Sequence, residues 1–483
     1  MTDVAAPRSV NYTDTLPLAI ASTQNRRSFY PQNGQAFTDT GSNIIRIDVN
    51  ADGLLDTQQS YLEFTLNNLS AQVRVLDQGH AWIKRLTIES GGVILEDINN
   101  YNRLIAGILQ PAQGSAAYTG EVQVAQGGSS QSNQAGHVAT ANAAPAAQSQ
   151  NLLPAVLDAT GAALLPRTSR NGTGVIDAVG GANPSTTGQY HLSCGFLNMD
   201  KYLPLVLMGQ GFTIQLELDV GANIGVQSNI AGGGGVVPAI YSITNVKYVA
   251  HIVDMQRDFY DMLRNLQSQS GGSLMIGSST FRHFSHTFDS RAGTEDVNIT
   301  ARVRNLENLL WVTTATANVG NQGVFNLSCG SSCGVNRGSY NVFVGAVRYP
   351  SNQVEWNNVT DKGETYQELR KCFGALGSIN HGGLLNACTY LSSDTGVRGR
   401  TGGVPVYSPM GISFRSWRHE LEDGVDTSSS ALPIRLALTL NPDGGGAAAA
   451  PQTMDIYAQA TVLFYFNMDG SVPVLNLVSY YVY

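Results

Sequence analysis

The chain has 483 residues, 42% of them hydrophobic, only 13% charged, and 52 of them glycine. Ordinary domains carry about 25% charged residues, so this composition excludes a charge-rich disordered chain and a Glu- and Lys-rich coiled coil. The basic residues are 5 Lys and 23 Arg against 36 acidic residues, and the net charge of −8 excludes a broad basic surface for nucleic acid.

Residues 1–42 read as an N-terminal arm. They contain no basic segment leading into an apolar core, so they read as lacking a secretory signal. Arg26, Arg27, Phe29 and Tyr30 stand before Pro31 as candidates for a contact between subunits. From residue 43 strands dominate. Ile45, Ile47 and Val49 alternate with Arg46 and Asp48; Leu62, Phe64 and Leu66 alternate with Glu63 and Thr65. A period of two places one face in a core and the other toward water or a second surface. IKRLTIESGGVILEDINNYNRL reads as strand, tight turn, strand and short helix. Its helical residues Tyr101, Leu104, Ile105 and Ile108 follow Asn99 as a cap.

Residues 111–187 are an excess. From Pro111 to Gln150 the only charged residue is Glu121, and Ala, Gln, Ser and Gly fill the rest. Such a stretch buries too little apolar area to fold alone, and it reads as a surface loop or tower held at its ends by a sheet. Phe212, Ile214, Leu216 and Leu218 then alternate with polar residues, and a long β segment closes the first half near residue 254. Phe259, Met262, Leu263 and Leu266 predict a connecting helix over 255–270, with Asp254 as its cap.

The second half, 271–470, repeats this order. VFVGAVRYPSNQVEWNNVTDKGETYQEL again reads strand, turn, strand and helix, the helix carrying Tyr366, Leu369 and Phe373 behind Asp361 and Glu364. Leu432 through Leu440 alternate, and Ala458 through Phe466 alternate. One β domain written twice, with insertions, accounts for the pattern. Residues 471–483 form a tail whose Leu477, Tyr480, Tyr481 and Tyr483 either finish the chain's own sheet or clamp a neighbour, since aromatic residues favour interface cores.

Signals for chemistry are weak. Gly232–Gly235 and Gly444–Gly446 lack the residues of a phosphate-binding loop. Cys329 and Cys333 have no second ligand pair at zinc spacing, and His283 and His286 point to opposite faces of a strand. Trp417, Arg418, His419, Glu420, Glu422 and Asp423 mix acid, base and aromatic groups, but they read as a charged strand end. The five scattered cysteines fit reduced thiols. No catalytic residue, metal or cofactor is assigned.

RSFYPQNGQAF with NIIRIDVNADGLLDTQQSYLEFTLNN resembles the opening of double jelly-roll major capsid proteins of the tailless-phage and adenovirus lineage. LTIESGGVILEDINNYNRL and CGFLNMDKYLPLVLMGQGFTIQLELD resemble two further blocks of that family, most like those of Polinton-like viruses and virophages. The resemblance implies an all-β fold of two tandem antiparallel jelly-roll sandwiches with a few short helices. It implies a homotrimeric capsomer, a pseudo-hexagonal tile in an icosahedral shell with strands roughly perpendicular to the surface. It also implies partners: neighbouring capsomers, penton and minor capsid proteins and, where the virus has one, an internal membrane, with no sequence-specific nucleic acid. The product would reside in the virion after assembly in the host cytoplasm or nucleus. The competing readings are a carbohydrate- or receptor-binding tandem β-sandwich and, more remotely, a β-sandwich hydrolase using Glu420 or Glu422.

Overall fold

A computed structural model describes residues 22–69, 73–76, 80–113, 156–157, 163–164, 175–176, 185–227, 241–289, 293–319, 333–335, 337–357, 363–373, 390–391, 408–416, 423–429, 433–441, 451–472 and 474–475. The first half contains β1 (Ser22–Phe29), β2 (Ile44–Val49), β3 (Leu54–Asn68), β4 (Ile83–Ser90), β5 (Val93–Asn99), α1 (Tyr101–Leu104), β6 (Ser185–Tyr190), β7 (Phe212–Leu218) and β8 (Tyr241–Met255). Helix α2 (Arg257–Gln269) leads into the second half. There follow β9 (Ser273–Asp289), β10 (Thr294–Ile299), β11 (Leu306–Ala315), β12 (Arg337–Val344), β13 (Val347–Asn357), α3 (Gly363–Cys372), β14 (Met410–Ser413), β15 (Ile434–Asn441) and β16 (Pro451–Asn467).

The pairings decide the architecture. One sheet of the first half runs β1-β8-β3-β6 and the other β2-β7-β4-β5. Strand one pairs with eight, two with seven, three with six and four with five, all antiparallel. That is one long hairpin rolled up on itself, the eight-stranded jelly roll. The second half repeats it strand for strand, as β9-β16-β11-β14 and β10-β15-β12-β13. The alternation read from sequence sets the inward faces. Ile45, Ile47 and Val49 are buried in β2, and every second residue from Phe212 to Leu218 is buried in β7. The same holds for β15 and for the second half of β16. Large aromatics fill both interiors. Phe64 meets Trp82 edge-on at 5.2 Å, and Trp311 meets Tyr340 at 4.9 Å.

Polarity along the strands sorts the connections into two ends. The links 30–43, 69–82, 114–184 and 219–240 leave from one end of the first jelly roll, and their counterparts 290–293, 316–336, 373–409 and 442–450 leave from the same end of the second. The opposite end carries tight turns such as Gly91-Gly92, where both residues have positive φ, together with α2.

Details at the helices differ from the sequence reading. Asn99 is still paired with Arg85 in the sheet, so the cap falls to Asn100, which turns the chain with φ 48; asparagine tolerates this left-handed conformation. The helix then widens into a π-helical turn over Ile105–Leu109 and continues through Gln110–Gln113, inside the stretch expected to be insertion. At the other margin Ser185 already belongs to β6. Asp254 stays in β8 opposite Thr23, and Gln256 occupies the cap of α2. Asp361 lies outside the described residues, and Glu364 accepts the Glu355 N–H at 2.9 Å, tying α3 to β13.

Candidate assembly surfaces

A seam joins the two jelly rolls, and its polar groups are buried. Asn100, at the turn that forms α1, and Arg103 within it reach the outer face of the second unit. Arg103 Nε lies 2.6 Å from Asp455 Oδ2, with side chains only 9% and 5% exposed. His283 Nε2 sits 2.8 Å from Asp455 Oδ1, and Asn100 Nδ2 donates to that same oxygen at 3.0 Å. Tyr457 donates its hydroxyl to the Asn100 carbonyl at 2.8 Å. Burial alone would raise the Asp455 pKa. The His283 hydrogen bond, the Arg103 charge and the Asn100 amide outweigh it and hold the carboxyl below its ordinary range. On its other side α1 is fixed to its own unit, where Asn102 Nδ2 donates to Asp219 at 2.7 Å and to the Ala81 carbonyl at 3.0 Å.

A second cluster surrounds Glu96 of β5. Its carboxyl accepts the Phe196 N–H at 2.9 Å and the Thr280 hydroxyl from β9. Burial pushes the Glu96 pKa up to about 7, although the Thr280 and backbone hydrogen bonds and the Arg282 charge pull it down. Ser278 donates to the Gly195 carbonyl at 2.7 Å. A Cβ on Gly195 would stand 2.6 Å from Glu96 Oε1 and 2.7 Å from the Ser279 carbonyl, so only glycine permits this approach. Beside these polar groups Phe196 stacks edge-on against Phe212 at 5.3 Å and against Phe464 of the second unit at 5.2 Å. Full burial of one such ring contributes about 2 kcal/mol. The seam therefore fixes the two units as one body by packing and by charge.

The sequence-selected residues lie elsewhere. Arg26 and Arg27 sit on β1, the outermost strand of its sheet among the described residues. Arg26 stands 5.6 Å over the Tyr61 ring and 3.9 Å from Glu63, while Arg27 stands 3.9 Å from Asp254. Phe29 is partly buried and Tyr30 is 65% exposed. Leu477, Tyr480, Tyr481 and Tyr483 lie outside the described residues, as do Trp417, Arg418, His419, Glu420, Glu422 and Cys329. Asp423 is buried and accepts the Ser416 N–H at 2.8 Å. His286 takes Glu295 at 2.8 Å, a different partner from that of His283, so the two imidazoles do not converge. Sequence reasoning missed Glu96, Arg103, His283 and Asp455 as a set. The available signal was a lone Arg and a lone Asp set among apolar neighbours.

Comparison with solved structures decides the fold. The chain matches the 3.5 Å cryo-EM structure of the Sputnik virophage with a TM-score of 0.53 at 12% identity, covering 99% of this chain and 94% of that one. The double jelly roll is thereby shown. A PBCV-1 virus capsid structure matches this double jelly roll with a TM-score of 0.52 at 10% identity, covering 96% and 98%. The Faustovirus major capsid protein matches it at 0.52 and 9% identity, covering 94% and 92%. No protein-family model matches the sequence, and no curated protein does.

Proposed function

We propose that this chain is the major capsid protein of an icosahedral virus and assembles as a homotrimer whose six jelly rolls form one pseudo-hexagonal tile. The observation that carries the proposal is the end-to-end match, 99% of this chain against 94% of the Sputnik chain. The buried seam supports it, because a tile must hold its two units at a fixed angle under load. The placement of connections supports it too: the two longest, 114–184 and 373–409, leave from the same end of their units, as decoration on an outer face would.

The organisation that goes with this reading is a first jelly roll that opens with β1 at Ser22–Phe29, inside the segment read from sequence as an arm at 1–42, and runs to 254 with a tower between Gln113 and Ser185, then a connecting helix at 255–270, a second jelly roll at 271–470 and a tail at 471–483. Arg26, Arg27, Phe29 and Tyr30, and in the tail Leu477, Tyr480, Tyr481 and Tyr483, are its subunit contacts. Neighbouring capsomers, penton and minor capsid proteins are its partners, along with an internal membrane where one exists. Its work is mechanical, and the genome is not read by sequence. Size exclusion with light scattering tests the proposal. A trimer near three times 51.4 kDa is expected, and a stable monomer in mild buffer overturns it.

A further inference from the structure

Helix α2 is fixed to the fold by one side and carries an apolar pair on the other. The Tyr260 hydroxyl accepts the Met255 N–H at 2.9 Å, Leu263 packs against the core, and Gln267 Nε2 donates to the Phe466 carbonyl at 2.6 Å. On the opposite side Met262 and Leu266, one turn apart, are 57% and 50% exposed. With Asp258, Asp261, Asn265 and Gln269 they line a shallow groove. A surface helix turns its apolar stripe toward a core and its polar side toward water, so an apolar pair on the outward side marks a place of contact.

The chain supplies a segment at that place. Strand β1 opens at Ser22, which pairs with Met255, two residues before α2 begins at Arg257. Residues 1–21 lie outside the described residues, and the point where they join the fold is the foot of α2. Their last part reads Leu16-Pro17-Leu18-Ala19-Ile20-Ala21. Pro17 disfavours a helix there, and in an extended segment Leu16, Leu18 and Ile20 share one face. An extended chain advances about 3.3 Å per residue, so Leu18 can stand about 13 Å from Ser22. A helix rises about 1.5 Å per residue, which puts Met262 and Leu266 about 8 and 14 Å from Arg257. The segment therefore reaches both side chains with no change in the described fold.

We propose that Leu16–Ile20 folds back across α2 of its own chain and seats its leucine and isoleucine side chains on Met262 and Leu266. The contact lies within one chain and does not rest on the capsid reading. Charge argues against a lipid headgroup or a nucleic acid in the groove, because phosphates would meet Asp258 and Asp261 at its border. The charged residues of 1–21 are Asp3, Arg8 and Asp14, none of them within Leu16–Ile20, so an uncharged strip meets an apolar pair.

Methionine oxidation tests this contact. Dilute hydrogen peroxide is applied to wild type, to a variant lacking residues 2–21, and to Leu18→Asp with Ile20→Asp, which keeps the whole chain. Peptide mass spectrometry reads the sulfoxide at each methionine. Met468 and Met275, 65% and 53% exposed, are the references. Met262 should oxidise several-fold faster in both variants than in wild type, with the references unchanged. One rate for Met262 in all three proteins overturns the proposal, and so does a rise confined to the deletion, since the apolar face of the segment would then not be what covers the helix. Leu18→Cys with Met262→Cys, treated with a short bismaleimide beside wild type and each single variant, assigns the segment to its chain. The link between positions 18 and 262 should run as a monomer on a denaturing gel. A dimer carrying that link places the segment on a second copy and overturns the contact within one chain. Light scattering of the untreated wild type reads the capsid proposal separately.

Discussion

Arg103 and Asp455, from different jelly rolls, form an ion pair at 2.6 Å with both side chains under one tenth exposed. Such a pair gains its strength from the cost of breaking it. Asp455→Ala leaves the Arg103 guanidinium buried without its carboxylate, and loss of one partner of a buried pair costs about 3–5 kcal/mol. Replacing both, Arg103→Met with Asp455→Leu, removes the charge along with its partner and should cost much less. Urea unfolding of the three proteins checks this. Equal losses in the single and double variants would show that packing, and not the charge pair, holds the seam.

Protonation of the seam works in opposite senses at its two carboxyls. The Glu96 pKa is raised from 4.5 to about 7 by burial, so the folded chain holds a proton that the unfolded chain has released. Its contribution is complete below pH 4.5 and is lost as pH rises through about 7, a change on the order of 3 kcal/mol. Asp455 is lowered beneath 3.8 in spite of its burial, so its contribution is present above 3.8 and is lost as pH falls through the folded value. Glu96→Gln, which mimics the protonated form, should be more stable than wild type at pH 8 and indistinguishable from it near pH 4. Thermal midpoints from pH 4 to 8 measure this. Parallel curves for the two proteins would mean that Glu96 ionises freely when folded.

The strand pattern was legible because period two reports which side of each strand meets its own partner sheet. Ile45 to Val49, Phe212 to Leu218 and Leu436 to Leu440 face inward as their alternation requires. The repeat was legible for the same reason, since strand, turn, strand and helix recur in one order. The seam was not. Asp455 and Tyr457 occupy outward positions of β16, which read as solvent-facing, and only the placement of the first unit against them buries them. The same limit applies to Arg103, a charge that looks like the polar side of a short helix until α1 is seen to be enclosed on every side. Periodicity reports contacts within a sandwich, not between two of them.

Gly470 offers a sharper test of the seam than any side chain does. Its φ is +80, and a Cβ there would lie 2.6 Å from the Gly209 nitrogen, in a crossing where Gly209 N–H donates to the Gly470 carbonyl at 3.1 Å. Gly271, at φ +79, has nothing within 4 Å of the same Cβ and serves as a control. Gly271→Ala should cost only the backbone strain, about 1–2 kcal/mol. Gly470→Ala should cost clearly more, because two backbones must also separate. Comparable losses in denaturant would show that the crossing is not closely packed.

Deleting residues 115–148 should leave a folded protein of unchanged oligomeric state. The deleted stretch begins after the helical turn that closes at Gln113 and ends well before β6 opens at Ser185, so no strand of either sheet is cut. It holds a single charged residue, Glu121, and little that a core could use. Shortening the link between its two ends reduces the closure entropy only slowly, by about 0.6 kcal/mol per halving, so stability should stay level or rise a little. Unfolding midpoints and light scattering of the deletion variant check both halves of the expectation. Loss of soluble protein would place the stretch in the folding core, and retention of fold with loss of oligomer would make it a subunit contact.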